Sequence, residues 1–155
     1  MHTTDRVERA VELGTQGCAC SEAVLLAYGV ECGLAPDSAL RLASGLAGGV
    51  GRSGGVCGAL SAAVLVLGLR LGPENLADRA GRVRSMDAAG ELLERFAALH
   101  GSTDCCDLCA TAMAGTDITT LKGAQALRLS GWPEQMVRSA AECLQAVLDQ
   151  RAGPG

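Results

Sequence analysis

Residues 59–69 read ALSAAVLVLGL, and the run is broken only at Arg70. On a helix this segment is apolar on every face, yet it is too short to cross a bilayer. A helix without a polar face has to be enclosed by other elements. The sequence therefore predicts a buried helix from about Val56 to Leu71, ended by Gly72-Pro73. Hydrophobic residues make up 48% of the chain and aromatics only 2%, so the surrounding core must be built from Ala, Leu and Val. Small and unbranched side chains at close quarters favour helices over a sandwich.

The remaining segments read as helices punctuated by Gly and Pro. A first helix covers roughly 4–13 with Val7, Ala10 and Val11 on its apolar face, and TQGCA breaks it. A second runs from about Cys20 to Cys32, with Gly33 as its stop. Pro36 and Asp37 open a third, DSALRLASGLA. Residues 74–99 predict one long helix with Leu92, Leu93, Phe96 and Leu99 as its apolar face and Gly81 and Gly90 as points of interruption. His100 is expected to meet the last helical carbonyls. Ser102 or Thr103 would cap a short helix carrying CCDLC, and ITTLKGAQALRL forms another short one. Pro133 sits at a first helical position, a last helix runs to about Gln150, and RAGPG, residues 151–155, is a frayed tail. With 155 residues, no repeat and no convincing strand, the expectation is one all-α domain, a bundle of about seven or eight helices.

Several function classes fall away. The net charge is −4, with a single lysine, Lys122, and no basic patch interleaved with aromatics, so nucleic acid is not an expected partner. Arg79, Arg82 and Arg84 read as a solvated helix face. No membrane segment is expected either. The start, MHTTDRVERAVELG, is polar and lacks the apolar core of an export signal, so the expected location is a reducing cytoplasm. GVGRSG, residues 49–54, matches G-x-G-x-x-G, but a helical segment precedes it and no Lys-Ser/Thr closes the loop. Neither dinucleotide-fold nor phosphate-loop context is present. An anion site using Arg52 or a tight turn between helices are the other readings of so many glycines.

The eight cysteines are the anomaly. Without an export signal they point to catalysis, metal ligation or plain burial rather than a disulfide framework. Cys20, Cys57, Cys105 and Cys106 fall in first helical turns, where free N–H groups and the helix dipole favour a thiolate. Cys106-x-x-Cys109 has the spacing of a dithiol redox site, though not the thioredoxin context. Cys143 shares a stripe with Met136, Ala140 and Val147 and reads as a small buried hydrophobe. Cys32, at a helix C-terminus, reads as structural. Cys18 is either a resolving partner or an idle surface thiol.

CSEAVLLA, then LRLASGLAGGVGRSGGVCGALSAAVLVLGL, then HGSTDCCDL resemble the C_GCAxxG_C_C family, in that order and over residues 18–146. The resemblance implies a small all-α protein with a redox role inferred from its cysteines. Carried over by position, it implies that Cys20 takes the first family cysteine, Cys57 the one in the CGA block, and Cys105 the one after the G-S-x-x spacer. Val50 stands where the family name has a cysteine, and a last one, expected near Trp132-Pro133, is missing. Cys106 and Cys109 are extra thiols that would compensate.

Three functions follow from these residues. The first is thiol–disulfide or electron-transfer chemistry by Cys20, Cys57, Cys105, Cys106 and Cys109, with an unidentified redox partner or small thiol and no required cofactor. If the chain is an enzyme, this makes it a thiol-based oxidoreductase. The second is binding of zinc or an iron–sulfur cluster by Cys20, Cys57, Cys105 and Cys109. The third is a structural or interaction role in which the cysteines pack and the helices support a homodimer.

Overall fold

A computed structural model describes residues 3–152 and contains eight α-helices. These are α1 (Thr3–Thr15), α2 (Cys20–Gly29), α3 (Pro36–Ser44), α4 (Gly58–Leu71), α5 (Arg79–His100), α6 (Cys105–Ala112), α7 (Leu121–Leu129) and α8 (Trp132–Ala152). A single 3-10 turn, Val30–Cys32, follows α2 and ends at Gly33, whose φ is +94°. Among the described residues there is no strand, only an isolated antiparallel bridge between Val56 and Asp104. The all-α bundle is the expected one.

The apolar segment that anchors the sequence argument is α4, and it lies in the middle. It packs on α2, α5 and α8, while α1 closes over α2 and α8, and α3 over α2. Leu60, Ala63, Val66 and Leu67 of α4 are fully buried against Val24, Leu25 and Tyr28 of α2, Leu92 and Phe96 of α5, and Val137, Leu144 and Val147 of α8. Two hydroxyls of α2 enter this core and both are satisfied. Ser21 Oγ donates to the Ala43 carbonyl at 2.8 Å, and Tyr28 Oη donates to the Ala141 carbonyl at 3.3 Å.

Several boundaries differ from expectation for identifiable reasons. Residues 74–78 are not helical. The Asp78 carboxylate accepts from the backbone N–H of Gly81 at 2.8 Å and of Glu74 at 3.1 Å, so it folds the segment before it into a turn and caps α5. The helix then runs unbroken through Gly81 and Gly90. Leu99 points to solvent at 66% exposure, because the apolar face of α5 ends at Phe96. His100 does not reach the terminal carbonyls. Its ring lies against Phe96, with centroids 4.5 Å apart, and the Gly101 N–H takes the Ala97 carbonyl instead. Arg151 and Ala152, expected to fray, continue α8, and Arg151 pairs with Glu91 at 3.0 Å. The rest of that expected tail, 153–155, lies outside the described residues.

Candidate functional site

The segment between α3 and α4 holds the thiols in place. From Gly48 to Arg52 five consecutive residues have positive φ, between +61° and +72°. Two of them, Val50 and Arg52, are not glycine, and a β-branched residue in the left-handed region is rare. Backbone bonds run back along the turn from Gly51 to Gly45, Arg52 to Ala47, and Gly54 to Gly48. The turn ends by pairing with the approach to α6. Cys57 N–H donates to Thr103 O at 2.8 Å, Cys105 N–H to Gly55 O at 2.7 Å, and Cys106 N–H to Gly54 O at 3.1 Å. The starts of α4 and α6 are thereby fastened side by side, bringing Cys57 and Cys105 into one neighbourhood.

This pairing also corrects the expected cap. Asp104, not Ser102 or Thr103, precedes α6, and the leading amides of the helix are taken by glycine carbonyls of the loop. Ser102 instead accepts from the Asp104 N–H and donates to Asp107 at 2.9 Å. Gly54 has to be glycine for a second reason. A side chain there would overlap the Cys106 sulfur, and its φ is +80°.

Four thiols gather. Cys57 (4% exposed), Cys105 (9%) and Cys109 (4%) are buried, and Cys20 is partly covered at the start of α2, with its Sγ 3.9 Å from the Pro133 carbonyl. The sulfurs of Cys105 and Cys109 lie 3.9 Å apart across one turn of α6. Ile118 packs on these two, with Leu127 and Trp132 at its margin. Cys106, by contrast, is exposed on the other side of α6 and approaches Gly54. The dithiol contact in this helix is therefore Cys105–Cys109, with i, i+4 spacing, rather than the Cys106-x-x-Cys109 read from sequence. The signal for it was available, because residues four apart share a helix face.

Acidity divides the group. Burial pushes Cys57 up to about 11, against the pull of the Leu60 and Ala59 amides in the first turn of α4. Burial likewise drives Cys20 far above the usual thiol range, reinforced by Cys57, Cys105 and Glu134. At both positions, desolvation outweighs the helix end. Cys105 is also pushed far up, first by its hydrogen bond to Cys109 and then by burial. Cys109 alone of the four moves down, because the hydrogen bond it shares with Cys105 favours its thiolate. The pair thus has a proton holder, Cys105, and a thiolate-prone sulfur, Cys109.

The other positions fall outside this group. Cys143 is buried in the main core, as its stripe predicts, and burial raises its pKa. Cys32 Sγ lies 3.4 Å from the Tyr28 carbonyl. Cys18 is half-buried near Cys20. Val50 is 52% exposed and faces an apolar groove with Leu46 and Val56. Trp132 and Pro133, beside which a further family cysteine was expected, abut the group through Cys105, Cys109 and Cys20. Among the described residues, no three His, Cys, Asp or Glu side chains converge closely enough to share a metal ion. Cys20, Cys57, Cys105 and Cys109 are electrostatic neighbours but not an assembled ligand set. No described helix is long and apolar enough to cross a membrane.

A family model described as putative redox-active protein (C_GCAxxG_C_C) matches residues 18–148. The chain belongs to the C_GCAxxG_C_C family. The matched span takes in every thiol of the group, the left-handed turn and most of α8. Neither a curated protein nor a solved structure matches the chain.

Proposed function

We propose that this family member is a dithiol–disulfide oxidoreductase whose working pair is Cys105 and Cys109. The observation that carries the reading is their 3.9 Å sulfur–sulfur contact, which moves the acidities of the two thiols in opposite directions. Family membership supports a redox role. All eight cysteines are free thiols, which suits a reducing compartment such as the cytoplasm.

The chemistry is thiol–disulfide exchange. The Cys109 thiolate attacks one sulfur of a disulfide, R–S–S–R, and forms a mixed disulfide. The departing RS⁻ takes the proton of Cys105. Cys105, now a thiolate, attacks the Cys109 sulfur and expels the second RS⁻, which takes a proton from water. The pair loses two electrons, the substrate disulfide gains them, and two RSH are released. An external dithiol donor would restore the pair by the reverse exchange.

Peptide-mapped mass spectrometry after mild oxidation of the reduced protein tests this. The expected product is a Cys105–Cys109 bridge with the loss of two hydrogens. A bridge joining any other pair, or none, overturns the reading.

A further inference from the structure

The working pair is buried, so a substrate must approach it by some route. A cavity of about 390 Å³ opens between the α1–α2 break, the left-handed turn and the α7–α8 junction. Cys20 lies in its wall. Ile118 and Leu127 line it too, and both pack on the Cys105–Cys109 cluster from the other side. They form the partition between the cavity and the pair.

The polar groups around this cavity are few and of mixed sign. Arg128 is held in position by donating to the Gly17 carbonyl at 2.8 Å, which leaves other N–H groups of its guanidinium to meet a ligand. Arg52 comes from the left-handed turn, and its side chain lies across Gly48, where a Cβ would sit 2.9 Å from the Arg52 Cγ. On the α8 side the Glu134 carboxylate also lines the cavity, and its Oε2 is buried with no hydrogen-bond partner. Glu134 is close enough to Cys20 to oppose its ionisation. A second thiol, Cys18, and Thr15 also line it, and the floor is apolar: Ala47, Ala124 and Pro133 beside the two partition residues. Two thiols, two guanidiniums and an unsatisfied carboxylate around an apolar floor suit a small molecule that carries sulfur, carboxylate and ammonium together.

We propose that this cavity binds a small amino-acid disulfide and that Cys20 is the thiol that meets it. The inference rests on the oxidoreductase reading and names its substrate class. Arg52 and Arg128 hold carboxylates, and Glu134 accepts from an ammonium. Cys20 gives its proton to water, and its thiolate attacks one sulfur of R–S–S–R to give Cys20–S–S–R and RS⁻, which takes the proton back as RSH; Cys20–S–S–R is then the disulfide that Cys109 attacks. The Cys105–Cys109 dithiol then acts on this mixed disulfide. It returns Cys20 to the thiol, releases the second RSH and becomes the disulfide, so two electrons pass in all.

The full-length Cys109→Ser chain cannot complete the second stage and should trap the first. It would be challenged in parallel with cystine, cystamine and hydroxyethyl disulfide, and the adducts mapped by mass spectrometry. Cystine should modify Cys20 about ten-fold faster than either of the others, the size of one charge-assisted hydrogen bond. Arg52→Ala with Arg128→Ala should remove that preference. The three-probe comparison is made with the cavity intact, so it stands even where the arginine variants fold poorly. No adduct on Cys20, or equal rates for the three probes, overturns the proposal. The unaltered chain, run alongside with cystine, separates the two readings. A Cys105–Cys109 bridge with no cystine preference defeats the cavity and leaves the oxidoreductase standing. A cystine-selective adduct on Cys20 with no bridge defeats the oxidoreductase and the second stage, and leaves only the cavity's selectivity standing.

Discussion

A hydrogen bond between two buried sulfurs does at Cys105 and Cys109 what a helix end alone does not. It lets one thiol become more acidic by making its neighbour less so. Replacing Cys105 with Ala removes the donor while leaving the burial of Cys109 nearly unchanged. The Cys109 pKa should then rise, and its thiolate fraction at neutral pH should fall by about ten-fold for each unit of that rise, slowing its alkylation. The pH profile of Cys109 alkylation, read by peptide mapping, checks this. An unshifted profile would mean the sulfur contact has no part in the acidity. At Gly54 a different constraint operates. Gly54→Ala would meet the Cys106 sulfur and force an L-residue to φ +80°, so it should destabilise the fold by roughly 1–3 kcal/mol in urea titration. The Gly54 constraint was not legible in the sequence, and the sulfur contact was legible only as one of two helical spacings, i, i+3 and i, i+4. CCDLC displayed its thiols, but which of them touch depends on the rotation of α6 about its own axis. That rotation is set by the carbonyls of Gly54 and Gly55, fifty residues earlier in the chain.

Among the elements, α4 shows how much a sequence pattern can carry. An all-apolar stretch has one physical solution in a small domain, and its burial, its end at Gly72 and its helical neighbours could be read from composition and punctuation. The start of α5 could not, because it depends on one carboxylate reaching both forward to Gly81 and back to Glu74. The last turn of the same helix misled for a related reason. Leu99 keeps the apolar spacing, but His100, four residues after Phe96, takes the inward place beside its ring and leaves Leu99 exposed. Two leucines of α4 give a direct comparison. Leu67 is fully buried and Leu69 is 44% exposed. Leu67→Ala should cost about 2–5 kcal/mol, whereas Leu69→Ala should cost well under half of that, as measured by chemical unfolding. Equal losses would show that the apolar groove beside Leu69 is covered in solution.

For the molecule as a whole, buried thiols tie stability to alkaline pH. Cys57 has an ordinary value of 9.0 and is raised to about 11 in the fold. A raised value means that the folded state holds the proton more tightly. The corresponding stability is fully present below pH 9.0 and is lost as pH climbs through about 11. A shift of this size corresponds to about 2–3 kcal/mol. Cys20 and Cys105 move in the same direction. Cys109 is lowered, so its contribution is instead lost as pH falls through its folded value. The urea midpoint of the reduced protein should therefore decline steeply between pH 9 and 11, and Cys57→Ala should flatten the decline even though it removes core volume. A midpoint constant over that range would mean these sulfurs are not desolvated.

The run from Gly48 to Arg52 has a consequence for chirality. Over those five residues the chain follows the hand that mirror-image amino acids prefer. Gly51 is exposed, has a φ of +61°, and an L-configured Cβ there meets nothing within 4 Å, so backbone conformation rather than crowding separates the two epimers. A semisynthetic protein carrying D-alanine at position 51 should be more stable than the natural one by about 0.4–1 kcal/mol, while its L-alanine epimer should be less stable. Two proteins of identical composition and mass would then melt at different temperatures, and the difference would report the handedness of a single turn beside the thiols.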